Sequence, residues 1–236
     1  MRKGLTIIGA FCIILLVLGQ FALPMLTERS LETKAVEALK TKDVQVRTST
    51  MPGFLLLLGQ VDDLQAVAHQ GKIGQLYLQE LTLSGKGVHL DMAALLQEGE
   101  VRVTSAKELA LKGIVSEENL REVLSRRIER LENVQVQIKP ERVLVTAEAK
   151  IFGHKAEIEL AGKVIEDLGS LYFRMEHLHL KNSRIGTARL EGIFGDMFGD
   201  IRLAGPDELP FGLVLQRAEQ GEGSIVMQAG YQPAEK

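Results

Sequence analysis

Between Val143 and Val164 the apolar side chains fall at 143, 145, 147, 149 and 151, then at 156, 158, 160 and 164. Glu148, Lys150, Glu157, Glu159 and Lys163 occupy the gaps. Successive side chains of a strand point to opposite faces, so this alternation predicts two strands, each with one dry and one wet face. Phe152-Gly153-His154-Lys155 is the expected turn between them. Further strands are expected at Val61–Ala68, Leu76–Met92, Val101–Val115, Val134–Ile138 and Leu171–Leu180, with a closing pair, "PFGLVLQR" and "GSIVMQAGY", around Glu219–Glu222. Two of these change phase. Leu76 and Leu78 are even, Leu81 and Leu83 odd, and Val88, Leu90 and Met92 even again; Leu171, Phe173 and Met175 are odd, whereas Leu178 and Leu180 are even. A slip of one residue reverses the faces unless a bulge absorbs it, and bulges bend strands.

Helical spacing is clearest after Ser116. Leu120, Val123, Leu124, Ile128 and Leu131 form a stripe, Ser116 offers a cap, and Glu117 and Glu118 suit the positive end of the helix dipole. Ser30 opens a second amphipathic stretch, with Leu31, Ala35, Val36 and Leu39 on one side of residues 30–41. A third, weaker helix is expected in "IGTARLEGIFGDMFGDIRL", where Ile193, Phe194, Met197, Phe198 and Ile201 would share a face. Gly192, Gly195 and Gly199 lie in it, each weakening a helix by about 1 kcal/mol relative to Ala. Eight or nine strands, two or three helices and no strand–helix–strand rhythm make the fold class antiparallel α+β.

"MPGFLLLLG" at 51–59 follows neither period. Met51-Pro52-Gly53 signals a turn, and Phe54–Leu58 is an unbroken apolar patch too short to span a bilayer. It reads either as a buried turn of the core or as an apolar lip facing membrane or lipid.

The N-terminus changes the picture most. Arg2 and Lys3 precede an apolar run, Leu5 to Leu26, interrupted by Thr6 and Gln20. As a helix it would be about 33 Å long, which matches a hydrocarbon core of about 30 Å. The basic residues hold the start in the cytoplasm and place the remainder outside it. A cleaved signal peptide is the competing reading, but Ala22-Leu23-Pro24 is a poor small-x-small site. Residues 1–27 are therefore expected to be a single transmembrane anchor in the cytoplasmic membrane and 28–236 an exported domain. The one cysteine, Cys12, sits in the anchor, so the exported part has no thiol for a disulfide, metal site or nucleophile.

Composition mostly excludes. A net charge of −3, no dense basic run and 5% aromatics without Trp give no basis for nucleic-acid binding. His177 and His179 share a strand face, but two ligands do not close a metal site. No nucleophile elbow, phosphate-binding loop, His-Glu-x-x-His or dinucleotide fingerprint is present, and Asp196 and Asp200 at helical spacing have no partners. No enzyme, cofactor or metal is expected. What remains is apolar strand surface. One helix of fifteen or so residues cannot shield it, so the sheet closes on itself, packs on itself or holds a nonpolar ligand. The candidate lipid-binding positions are Phe54, Leu56, Leu58, Val145, Ile151, Ile158, Leu160, Phe173, Phe194 and Phe198.

The order of these elements resembles the LmeA-like phospholipid-binding family of bacterial envelope proteins. The resemblance covers about residues 28–231. It is carried by Pro52 with "LLLLG", the strand–Ser116–helix unit, the 142–164 hairpin, and Leu209-Pro210-Phe211-Gly212 before the last two strands. It implies a curved, mainly antiparallel sheet wrapped with helices into an elongated tube, phospholipid as the partner, and no enzymatic step. It supplies no short motif that assigns a binding residue, and it names no protein partner. A packed structural or interaction domain of an envelope complex is the alternative function.

Overall fold

The structure, a computed structural model, describes residues 43–98, 100–128, 131–151, 154–181 and 200–232, with scattered positions between 29 and 41. Among the described residues no helix is long and apolar enough to cross a membrane. The expected anchor at 1–27 lies outside them.

The strands are β1 (Asp43–Ser49), β2 (Gln60–Ile73), β3 (Leu76–Leu90), β4 (Val103–Ser105), β5 (Glu108–Ser116), β6 (Leu131–Ile138), β7 (Val143–Ile151), β8 (His154–Asp167), β9 (Ser170–Lys181), β10 (Asp200–Ala204), β11 (Leu213–Gln220) and β12 (Ser224–Tyr231). Helix α1 is Glu117–Arg127. One sheet runs β1-β2-β3-β5-β12-β11, with β4 added to β3; the other runs β10-β9-β8-β7-β6. Every pairing in the second sheet is antiparallel. The chain is mainly antiparallel β with few helices, as the alternation predicts.

The described residues form two compact units: those up to Ala68, Thr82–Leu111 and Tyr231 onward make the first, and those within His69–Leu81 and Lys112–Gly230 the second. In the second, the hairpin β7–β8 keeps unbroken register from Val143 opposite Gly162 to Ile151 opposite His154. Pairing therefore continues further than a turn over 152–155 allows, and His154 is a strand position rather than a turn position. The dry face is buried at Val143, Val145, Ala147 and Ala149 on β7, at Ile158, Leu160 and Val164 on β8, and at Leu171 and Phe173 on β9. The wet face carries cross-strand ion pairs, Lys181 with Glu157 and Glu159, and Lys163 with Glu176. Exposed pairs of this kind stabilise little; they keep that face in water.

The phase change in β9 is a bulge. Ala161 pairs with His177 and Gly162 with Met175, so Glu176 is extra. Gly162 is required there: a Cβ would lie 2.4 Å from the Arg174 carbonyl oxygen and 2.8 Å from the Phe173 ring. A second bulge interrupts β6, where register shifts between Glu132 and Gln135 and Asn133 takes φ 54°. β3 runs through both of its phase changes and bends at Gly87, φ 55°. It stops at Leu90, not Met92, because Asp91 starts a new turn by accepting the Ala94 N–H at 2.9 Å.

Helix α1 begins where expected. The Ser116 hydroxyl accepts the Asn119 N–H at 3.3 Å, and Asn119 Oδ1 accepts the Ser116 N–H at 3.2 Å, a reciprocal cap. Leu120, Val123, Leu124 and Ile128 are buried, and α1 packs on β6. Its C-terminal end is tied to the β2–β3 turn by Arg127 Nε donating to Gln75 Oε1 at 2.5 Å. β11 lies against β8 and β9. Gln220 joins the layers, accepting the Val164 N–H at 2.7 Å and donating to the Lys139 carbonyl at 3.1 Å. Within this unit the β6–β10 sheet is therefore covered by β11, a strand of the other sheet, and by α1.

Further expectations fail. Leu131, expected on the stripe of α1, opens strand β6. Residues 43–49 form β1, for which no element is expected. Ile201 and Asp200 belong to strand β10, paired with Phe173 and Arg174, rather than to a helix. Asp200 is paired across the sheet: Arg174 Nε donates to its carboxylate at 2.9 Å and holds it below the ordinary carboxylate range. The rest of the expected third helix, 185–199, lies outside the described residues.

Candidate functional site

The candidate positions fall into two groups. Phe54, Leu56 and Leu58 lie on one short 3-10 helix, Gly53–Leu58, in the first unit. A 3-10 helix repeats every three residues. Gly53, Leu56 and Gly59 are accordingly buried, while Phe54, Leu57 and Leu58 point outward. Leu56 is 3% exposed, whereas Met51 is 77%, Leu58 71%, Leu57 59% and Phe54 45% exposed. Phe54, Leu56 and Leu58 thus do not share a face. The outward set is Met51, Phe54, Leu57 and Leu58, and the sequence reading misses Met51 and Leu57. The missed signal is the pair Gly53 and Gly59, spaced three on either side of Leu56.

Hydrogen bonds close this turn on itself. Leu55 N–H donates to the Pro52 carbonyl at 3.1 Å and Gly59 N–H to the Leu56 carbonyl at 3.0 Å. The Gly59 carbonyl accepts the Leu90 N–H at 2.8 Å. Gly59 has φ 81°, and a Cβ would sit 2.2 Å from the Leu90 carbonyl oxygen, so glycine alone fits. At the base, Asp62 accepts the Met51 N–H at 3.0 Å and the Gln60 side-chain amide at 3.1 Å. The Met51 N–H, then the Gln60 amide, hold the Asp62 carboxyl below its ordinary range, with Lys107 and His89 adding to the effect. The Thr50 hydroxyl donates to the Gln60 carbonyl at 3.1 Å and accepts the Asp62 N–H at 3.3 Å. A polar clamp thus presents an apolar tip. No charged side chain occurs from Ser49 to Val61.

The second group lies on the dry face of the β6–β10 sheet. Val145 sits opposite Leu160, Ile158 opposite Ala147 on one side and Leu180 on the other, and Phe173 opposite Val164. Val145, Ile158, Leu160 and Phe173 are brought together on one face, and each is 1% exposed or less. They offer only apolar surface and no directional partner, which suits aliphatic chains better than polar ligands. Ile151 ends β7; its side chain, and Phe194 and Phe198 entirely, lie outside the described residues. Neither group includes an acid, base or nucleophile. Among the described residues no three or more His, Cys, Asp or Glu gather to hold a metal ion. His177 and His179 are exposed on the wet face.

Residues 18–230 match the family model described as LmeA-like phospholipid-binding. No curated protein and no solved structure matches the chain.

Proposed function

The chain belongs to the LmeA-like phospholipid-binding family, and on that premise we propose that it binds, and shuttles, phospholipid by the acyl chains without a catalytic step. It works at the outer face of the cytoplasmic membrane of a bacterium. Residues 1–27 anchor it there as one membrane-spanning helix, and residues 28–236 form an elongated, tubular lipid-binding domain. The family match over most of the length carries this reading. Two features support it: apolar positions gathered on one sheet face, and an apolar tip held out into solvent. No protein partner is implied.

A second reading, a packed interaction domain of an envelope complex, is favoured by one observation. Val145, Ile158, Leu160 and Phe173 are closed off from solvent, so acyl chains reach that face only if the covering layer moves. Native mass spectrometry of residues 28–236 purified from membranes separates the two. Phospholipid adducts are expected; a protein that stays ligand-free after incubation with vesicles establishes the interaction domain instead.

A further inference from the structure

Five large hydrophobic side chains stand exposed among the described residues: Met51, Phe54, Leu57, Leu58 and Leu168. Single exposed apolar residues such as Leu168 need no explanation. Four of the five, however, fall within eight consecutive positions, on one turn. We infer that this tip, Met51 to Leu58, inserts into the interface of a phospholipid bilayer and is the point at which the protein docks on the membrane surface to exchange lipid. The inference rests on the phospholipid-binding reading and adds a second, reversible membrane contact to it.

Three features single out a bilayer as the occupant. The first is backbone satisfaction. A segment entering the interface leaves water behind, so its N–H and C=O groups need internal partners. The turn supplies several: Leu55 N–H to Pro52, Gly59 N–H to Leu56, Leu90 N–H to Gly59, and Met51 N–H to Asp62. The second is charge. From Ser49 to Val61 there is no ionisable side chain to desolvate, and the nearest carboxylate, Asp62, is turned back onto the Met51 N–H. Protein interfaces ring their apolar centre with polar groups that fix orientation, whereas the polar neighbours of this tip, Thr50 and Gln60, bond back onto the clamp. The third is reach. Residues 27–50 join the apolar run 5–26 to the tip, and β1 leads directly into it. A tether turns insertion into an intramolecular event, so four side chains suffice where a free protein would need a larger apolar area.

The chain contains no tryptophan, so a single introduced indole reports on the tip alone. The full chain carrying Leu57→Trp, and separately Leu58→Trp, is reconstituted into vesicles of phosphatidylcholine and phosphatidylglycerol. Acyl chains are brominated either close to the headgroup or close to the terminal methyl. Insertion gives a blue-shifted emission quenched about twofold by the shallow bromines and less by the deep ones, as for an element lying at the acyl boundary. Emission typical of water, unquenched at either depth in both variants, overturns the proposal. So does a blue shift that vanishes on diluting the protein among vesicles, because the tip is then covered by a second copy. Phosphorus analysis of the same preparations, after detergent extraction and washing, is read separately. Retained phospholipid with an unquenched indole removes the docking tip and leaves lipid binding standing. A quenched indole without retained phospholipid does the reverse.

Discussion

Truncating Leu160 to Ala asks whether the dry face of the β6–β10 sheet is filled by protein. Leu160 is 1% exposed, sits opposite Val145 and Leu178, and shares its face with Ile158 and Phe173. Removing a packed leucine loses the transfer free energy of its methyl groups and leaves a cavity, together about 2–5 kcal/mol. β11 ties to β8 through Gln220, which limits how far the layers can collapse into the space. A value of about 3 kcal/mol is therefore expected, which lowers the melting temperature by about 6–12 °C in a domain of this size. The assay is urea and thermal unfolding of delipidated residues 28–236, followed by far-ultraviolet circular dichroism. The dependence on urea should be unchanged, since the exposed surface on unfolding is the same. A side chain lining an open tube keeps contact with water in the folded, lipid-free protein, and its truncation then costs under about 1 kcal/mol. A loss that small, with the fold intact, refutes the closed packing of this face.

Other consequences follow from named contacts. Ser116→Ala removes the acceptor that caps α1 and lowers stability by about 1 kcal/mol, read as a melting shift of about 2–4 °C. Gly59→Ala places a Cβ against the Leu90 carbonyl and asks alanine to hold φ 81°, so a loss above about 1 kcal/mol is expected, with the tip signals of a proton–nitrogen spectrum displaced. An unchanged melting temperature would show that the turn is not anchored at Gly59. Asp62 has its carboxyl lowered by the Met51 N–H and the Gln60 amide, so its support of the turn is complete above the ordinary aspartate range. That support is lost as pH falls through the depressed value. The protection of the Met51 amide, measured as exchange relative to its intrinsic rate, should fall only in acid below that range, and a lack of protection already at neutral pH would contradict the clamp.

Legibility followed the periods. Strict alternation in 143–164 left one way to place a hairpin, and its register is unbroken. The change from odd to even between Met175 and Leu178 announced a bulge, and Glu176 is the extra residue. Ser116 with its stripe announced α1, because cap and amphipathic face agree. The turn at 53–58 was less legible: four consecutive leucines carry no period, and only the glycines flanking Leu56 show which side faces inward. Residues 43–49 are hard to read because the alternation is short and its inward positions, Val44, Val46 and Thr48, end on a polar residue. Ile201 reads as helical because spaced apolar residues among three glycines fit a poor helix, whereas pairing with β9 decides the matter from outside the segment. The covering of the β6–β10 sheet by β11 is likewise a long-range fact that no local pattern carries.

Phospholipid binding is tested most directly by photocrosslinking. Full-length protein in native membranes is exposed to phosphatidylethanolamine and phosphatidylglycerol carrying a diazirine in the acyl chain, irradiated, and digested for mass spectrometry. A domain that takes up acyl chains gives adducts on peptides containing Phe54–Leu58 and on peptides from 143–173, beyond those on the apolar run 5–26. Adducts confined to residues 5–26 contradict lipid binding by the domain and leave a packed protein that is merely tethered to its membrane.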